Sequence, residues 1–299
     1  MGNFDKILTL EFNAEDLQLD KLLDEIESYW STRTEGYSEV NEKELKGMQK
    51  KAWLETLESG FFGKRSGENQ DAEEGFAETE SFGNRNPDEE KEQLKILDIG
   101  TGPGFFPMIL AEAGYYVTAV DYTPGMLEKA AENAAKFIGE KKNHIEFKRM
   151  DAQALEFEDE SFDVIISRNL TWNLPHPEMA YKEWLRVLKK GGKLLNFDAN
   201  WYGYLYDDEK REAYENDRKN VEKGSLDDHY LCTDIDRMEK IALQVPLSET
   251  KRPGWDVKVL EGIGAKKIEV NEDIWQKVWS EEEKLNYGST PMFMVEVTK

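Results

Sequence analysis

One cysteine, Cys232, stands among 299 residues, so the chain cannot form an internal disulfide. Histidine is nearly as scarce. His144, His176 and His229 are spread along the chain without metal-ligand spacing, and no metal site is expected. No apolar run approaches the roughly 18 residues that a membrane helix needs, so membrane insertion is not expected. The opening stretch Met1-Gly2-Asn3-Phe4-Asp5 lacks the basic and apolar regions of a secretion signal, and the expected location is cytoplasmic. Positive charge is also short: 39 Lys and Arg stand against 62 Asp and Glu, a net charge of −23. That balance repels phosphate backbones and disfavours a nucleic-acid partner. Solubility and the attraction of cationic substrates both remain as uses for it. Internal repeats are absent too, and nothing in the sequence fixes an oligomeric state.

What is present is enough chain to bury one large domain or one and a half. Residues 17–33 place Leu19, Leu22, Leu23, Ile26, Tyr29, Trp30 and Arg33 on one helical stripe. A second helix is predicted to begin at Asn41, with Glu44 as its capping-box partner, and to run through Leu45, Met48, Ala52, Trp53 and Leu57. Residues 1–60 thus read as an N-terminal helical cap. Residues 61–93 hold four glycines and ten acidic against four basic residues, and are expected to be a mobile loop. From residue 94 short apolar strands, at 95–99, 114–121, 145–148, 162–167 and 193–197, alternate with helical segments such as 178–189. That alternation predicts an α/β fold with a parallel sheet covered on both faces. Residues 94–200 form its core and 201–250 an acidic, aromatic, helical insertion. Residues 251–299 return to the sheet through a helix at 255–263 and strands at 267–270 and 292–298.

The most informative stretch is Leu97-Asp98-Ile99-Gly100-Thr101-Gly102-Pro103-Gly104-Phe105, a strand that breaks into glycines at every second position. Missing side chains let the backbone approach a ligand closely. The dinucleotide fingerprint needs a glycine where Phe105 stands, so a nicotinamide cofactor is disfavoured. Asp121 ends the next strand, where a carboxylate can accept both hydroxyl hydrogens of an adenosine ribose. Thr123 and Pro124 already suit the start of the following helix, which leaves Asp121 free for that task.

The stretch 97–195 resembles the class I S-adenosylmethionine-dependent methyltransferase domain, and within it the ubiquinone/menaquinone-biosynthesis-like small-molecule branch. Four blocks carry the resemblance in order: 97–104; Val120-Asp121-Tyr122-Thr123-Pro124-Gly125-Met126-Leu127; Met150-Asp151-Ala152 with Leu155 and Ser161-Phe162-Asp163; and Arg186-Val187-Leu188-Lys189-Lys190-Gly191-Gly192-Lys193-Leu194. The resemblance implies a Rossmann-like parallel sheet with a terminal antiparallel strand and N-terminal helices. The insertion leaves the carboxyl edge of that sheet after the fifth strand, and this position predicts a substrate lid. S-adenosylmethionine is the implied cofactor and a small molecule the implied methyl acceptor.

Carried over by position, Gly100, Thr101 and Gly102 would lie against the methionine part, and Asp121 would bind the ribose. Tyr122 and Met126 would pack on the adenine. Asp151 would accept a bond from the adenine amino group, with Ala152 donating from its backbone. Arg168 and Asn169 would border the methionine end, and Arg33 and Tyr37 would close over its carboxylate.

Methyl transfer from a sulfonium is an in-line displacement, so a base is needed only where the acceptor must lose a proton. His176 and Asp198 are the candidates for that role. Trp172, Asn173, Trp201, Tyr202 and His229 are the candidates for contacting the acceptor, because they follow strands at the carboxyl edge or lie in the insertion. The aromatics among them are able to hold a cation by their ring faces or merely to pack the insertion on the sheet. Two other functions compete: a non-catalytic protein that binds the same nucleoside, and an NAD-dependent oxidoreductase. The intact cofactor blocks speak against the first, and the missing glycine against the second.

Overall fold

The computed structural model describes residues 14–62, 94–229 and 233–299. The expected loop therefore lies, from residue 63 on, outside the described residues, as does Cys232. Its first two positions, Phe61 and Phe62, are helical.

Helix α1 (Ala14–Lys46) is longer than its apolar stripe suggested, and α2 (Gln49–Phe62) begins eight residues after Asn41. Asn41 does not cap a helix. It is buried within α1 and its amide donates to Glu44 Oε2 at 2.9 Å, so the two side chains pair along a continuous helix. The break comes at Gly47, a residue of poor helical propensity.

The core follows in order: β1 (Lys95–Ile99), α3 (Phe105–Glu112), β2 (Tyr116–Asp121), α4 (Pro124–Phe137), β3 (Ile145–Arg149), β4 (Phe162–Arg168), α5 (Pro177–Val187) and β5 (Leu188–Asp198). The insertion adds α6 (Asp208–Gly224) and α7 (Ile235–Ala242). The chain closes with α8 (Gly254–Gly262), β6 (Lys267–Asn271), two short helices α9 (Ile274–Val278) and α10 (Glu281–Tyr287), and β7 (Phe293–Thr298). Helices α9 and α10 lay outside the sequence reading, although Ser280 and Glu283 form a complete capping box at the start of α10.

The seven strands lie in the order β3-β2-β1-β4-β5-β7-β6. The first five are parallel, and β7 runs antiparallel between β5 and β6. This is the Rossmann-like α/β architecture. The order reverses between β1 and β4, which pair with Ile99 opposite Ser167, so the chain leaves the sheet in opposite directions there and opens a crevice beyond their carboxyl ends.

Both sheet faces are covered. Tyr181, Trp184 and Leu260 fill one side, and Trp53, Leu57 and Phe106 the other. Helix α2 sits so close to β5 that a Cβ on Gly60 would come within 2.5 Å of Leu195. A third apolar cluster joins Leu22, Ile26 and Tyr29 of α1 to Trp172, Tyr202 and to Met238 and Ile241 of α7, so the insertion docks on the N-terminal helix. No helix among the described residues is long and apolar enough to cross a membrane.

Candidate active site

After β1 the backbone turns through three left-handed glycines, Gly100 (φ +73°), Gly102 (φ +52°) and Gly104 (φ +92°). Only glycine adopts such angles without strain. A Cβ on Gly100 would also stand 2.8 Å from Leu170, so two constraints select glycine there. The loop is tied down from β2: the amides of Gly100 and Thr101 donate to the Val120 carbonyl at 2.9 and 3.0 Å. Asp121 completes the tie, with Oδ2 accepting from the Gly102 amide and Oδ1 from the Thr123 amide, each at 2.9 Å. Burial pushes the Asp121 carboxyl up, and these amides pull it back. Each oxygen keeps a lone pair for a further donor. Asp98, buried beneath the loop, is raised to about 7 by burial, against the pull of Thr101 and Arg168.

The third wall is the turn after β3. Asp151 Oδ1 accepts from the backbone amide of Gln153 at 2.8 Å and from its side chain at 3.1 Å. The Ala152 carbonyl accepts from the indole of Trp184 at 2.9 Å, which fixes that turn against the core. The Arg149 guanidinium lies 5.1 Å from the Tyr122 ring centroid.

These elements enclose a cleft of about 90 Å³, roofed by Leu23, Ile26, Glu27 and Trp30 of α1. Gly100, Gly102, Asp121, Tyr122, Met126, Asp151 and Ala152 all line it, as do Tyr37, Arg168 and Asn169. Thr101 is buried and does not line it. Arg33 lines the neighbouring cavity instead, whereas Asn173, expected near the acceptor, lines the cleft. The side-chain oxygens of Asn169 and Asn173 are buried and make no hydrogen bond.

The second cavity, about 530 Å³, shares Trp30, Tyr37, Arg168 and Asn169 with the cleft, so the two adjoin. Trp172, Trp201, Tyr202 and His229 line it. His229 Nδ1 meets Tyr287 Oη at 2.8 Å and its Nε2 meets Glu282 at 3.2 Å; burial lowers its pKa. Glu44, Trp279, Glu283 and Tyr287 line this cavity as well; the sequence pointed to Glu44 only as a capping partner and to the other three not at all. The capping box was the one local signal for Glu283.

Arg168 stands where the two cavities meet. Glu44 accepts from both arms of its guanidinium, at 2.7 and 3.1 Å, and Trp53, Phe105 and Phe106 surround it with centroids 4.9–5.2 Å away. Burial works against its charge, but Glu44 more than compensates and holds it protonated.

His176 and Asp198 are placed otherwise. His176 occupies the N-cap of α5 without a side-chain cap bond, and lines neither cavity. Asp198 is fully buried. It accepts from Arg252 at 2.6 Å, from the amides of Trp172 and Ala199 at 2.9 Å, and from the Trp201 indole at 3.2 Å. Arg252 also binds Asp256, which takes a 2.5 Å bond from Tyr181. Asp198 thus anchors the strand end to the insertion. Among the described residues, no three His, Cys, Asp or Glu side chains gather to hold a metal ion.

Residues 97–196 match the family model of the methyltransferase domain. An uncharacterised methyltransferase of Mycobacterium avium (strain 104) is 33% identical over 36% of this chain and 40% of its own length. The demethylmenaquinone methyltransferase of Clavibacter sepedonicus is 37% identical over 34% of this chain and 39% of its own. The chain thus spans about two fifths of these curated relatives. Among solved structures, a protein from Pyrococcus horikoshii OT3 is 33% identical, with a TM-score of 0.34 over 37% of this chain and 51% of that one.

Proposed function

We propose that this chain is an S-adenosylmethionine-dependent methyltransferase that passes a methyl group to a small-molecule acceptor by in-line displacement. One observation carries the reading: the glycine loop, the Asp121 carboxylate and the Asp151–Ala152 turn, all within the matched domain, converge on a single cleft that adjoins a second, aromatic cavity. The relatives' names support a small-molecule acceptor, since demethylmenaquinone methyltransferase, phosphatidylethanolamine N-methyltransferase and ubiquinone biosynthesis O-methyltransferase are among them.

The residues fit the cofactor. Asp121 is preset by two backbone amides and retains lone pairs for two ribose hydroxyls. Tyr122 and Met126 flank the adenine, Asp151 accepts from its amino group and the Ala152 amide donates to its ring. Gly100 and Gly102 clear the space for the methionine chain. The unpartnered oxygens of Asn169 and Asn173 suit a ligand that brings hydrogen-bond donors. Arg33 and Tyr37 close over the carboxylate end. When bound, S-adenosylmethionine supplies an activated methyl group on a sulfonium.

The chain's own part in the chemistry is to align and to exclude water. Arg168, held by Glu44, is a fixed wall residue common to both cavities. The α1 helix roofs the cleft, and the insertion docks on that helix and lines the second cavity. Asp198 is held by Arg252 inside the fold and serves as an anchor, and His176 stands outside both cavities.

The test is methyl transfer from radiolabelled S-adenosylmethionine into the low-molecular-weight fraction of a cell extract. Label in small molecules, absent without the protein, supports the reading. Label confined to protein or nucleic acid, or no transfer, contradicts it and favours a non-catalytic nucleoside-binding role.

A further inference from the structure

The second cavity has a consistent chemistry. Trp201, Trp279 and Tyr287 form one cluster on its wall, with centroids 5.4–6.4 Å apart, and Trp172 and Tyr202 another at 5.0 Å. Ring faces attract cations. Charged groups divide unevenly around them. Of the cavity's cations, Arg168 is engaged by Glu44, Lys43 pairs with Asp227 at an exposed rim, and Arg33 is the residue assigned above to the methionine carboxylate. Asp228 is paired with Arg218.

Glu283 is different. Its Oε2 accepts three bonds, from Gln49 at 2.5 Å and from the amide and hydroxyl of Ser280 at 2.7 and 2.9 Å. Its Oε1 accepts none among the described residues. One carboxylate oxygen is locked into the α10 cap, and the other remains for a ligand in the aromatic cavity.

Resting on the methyltransferase reading, we infer that the acceptor is a small amine, cationic in solution, which the aromatic walls hold by its charge and which gives its proton to Glu283 before methylation. An anionic acceptor would meet an uncompensated carboxylate there, and a neutral one would leave it unpaired.

Charge and proton balance in the step. The ammonium N–H proton passes to Glu283 Oε1, leaving a neutral amine with a free lone pair. That pair forms the new N–C bond as the C–S bond of the sulfonium breaks, and sulfur keeps the electrons as a neutral thioether. The methylated ammonium departs as a cation, and Glu283 returns its proton to solvent. The groups that face Glu283 suit this role. Burial, with Glu44 on α1, raises its carboxyl to about 7 against the bonds from Ser280 and the charge of Arg168 at the end of β4. A base with a pKa near the working pH transfers protons most effectively.

The test uses the full chain saturated with S-adenosylhomocysteine and titrated calorimetrically at neutral pH with 2-phenylethylamine, 2-phenylethanol and phenylacetate, a cation, a neutral molecule and an anion of similar shape. The amine should bind roughly tenfold tighter than either of the others. Glu283→Gln, which keeps an acceptor for the helix cap, should abolish that preference while leaving S-adenosylhomocysteine affinity unchanged. Should the variant fail to fold, the comparison on the unaltered chain decides alone. Equal or tighter binding of the alcohol or the acid, or a Gln variant that keeps the preference, overturns the amine assignment. Failure of S-adenosylhomocysteine to bind overturns the methyltransferase reading instead.

Discussion

Glu44 and Arg168 lie 124 residues apart in sequence and meet through two hydrogen bonds that join α1 to the end of β4. The pair sits at the boundary of both cavities, with side chains only 4% and 12% exposed. The helix that roofs the cleft is therefore coupled electrostatically to the strand that lies under it.

Breaking that pair from one side should be costly. Glu44→Gln leaves a buried guanidinium without its counter-charge, and the expected loss of stability is about 3–5 kcal/mol. Chemical denaturation of the variant measures it. A loss below about 1 kcal/mol would show that the pair is solvated like a surface ion pair.

Asp121→Ala should weaken S-adenosylmethionine binding by more than about tenfold, because it removes charge-assisted bonds. It should also lower the melting temperature, since the same carboxylate holds the amides of Gly102 and Thr123. Asp121→Asn keeps one acceptor oxygen and should fall between. Unaltered affinity in a calorimetric titration of either variant would remove Asp121 from the ribose site.

The glycine loop makes a graded prediction. At Gly102 a methyl group meets only the Tyr37 ring, at 3.6 Å, so Gly102→Ala carries chiefly backbone strain of about 1 kcal/mol. At Gly100 the same strain is joined by a 2.8 Å clash with Leu170. Gly100→Ala should be the less stable of the two by thermal melting. The reverse order would mean that the loop relaxes more readily than its bonds to Val120 indicate.

Asp98 should leave a mark on the pH dependence of stability. Its folded pKa, about 7, lies above the ordinary carboxylate value near 4, so between those limits the folded state binds the extra proton. Its contribution is fully present below about pH 4 and declines as pH rises towards 7. Asp98→Asn should therefore gain stability relative to the unaltered chain as pH increases across that window. Parallel pH profiles for the two proteins would show Asp98 to be ionised in the fold throughout.

The fold was legible where information is local. Strand runs, the glycine turn and the Thr123–Pro124 start of α4 depend on neighbours within a few residues. Asn41 shows the limit of such reading: its pattern with Glu44 matches a capping box, yet inside a continuous helix the two side chains bond each other. The second cavity depends on contacts that no local pattern contains. Gln49 and Glu283 meet across 234 residues, and Asp198 finds Arg252 54 residues away. A carboxylate at a strand end looks alike from the sequence whether it lines a cleft, as Asp121 does, or meets an arginine, as Asp198 does in the core.

The most direct measurement is a side-by-side calorimetric titration of the full chain with S-adenosylmethionine, S-adenosylhomocysteine and NAD. Saturable binding of both sulfur nucleosides at micromolar levels, with none for NAD, is the predicted result. Binding of NAD in preference to S-adenosylmethionine, or of none of the three, would contradict the assignment of the cleft formed by Gly100, Asp121 and Asp151.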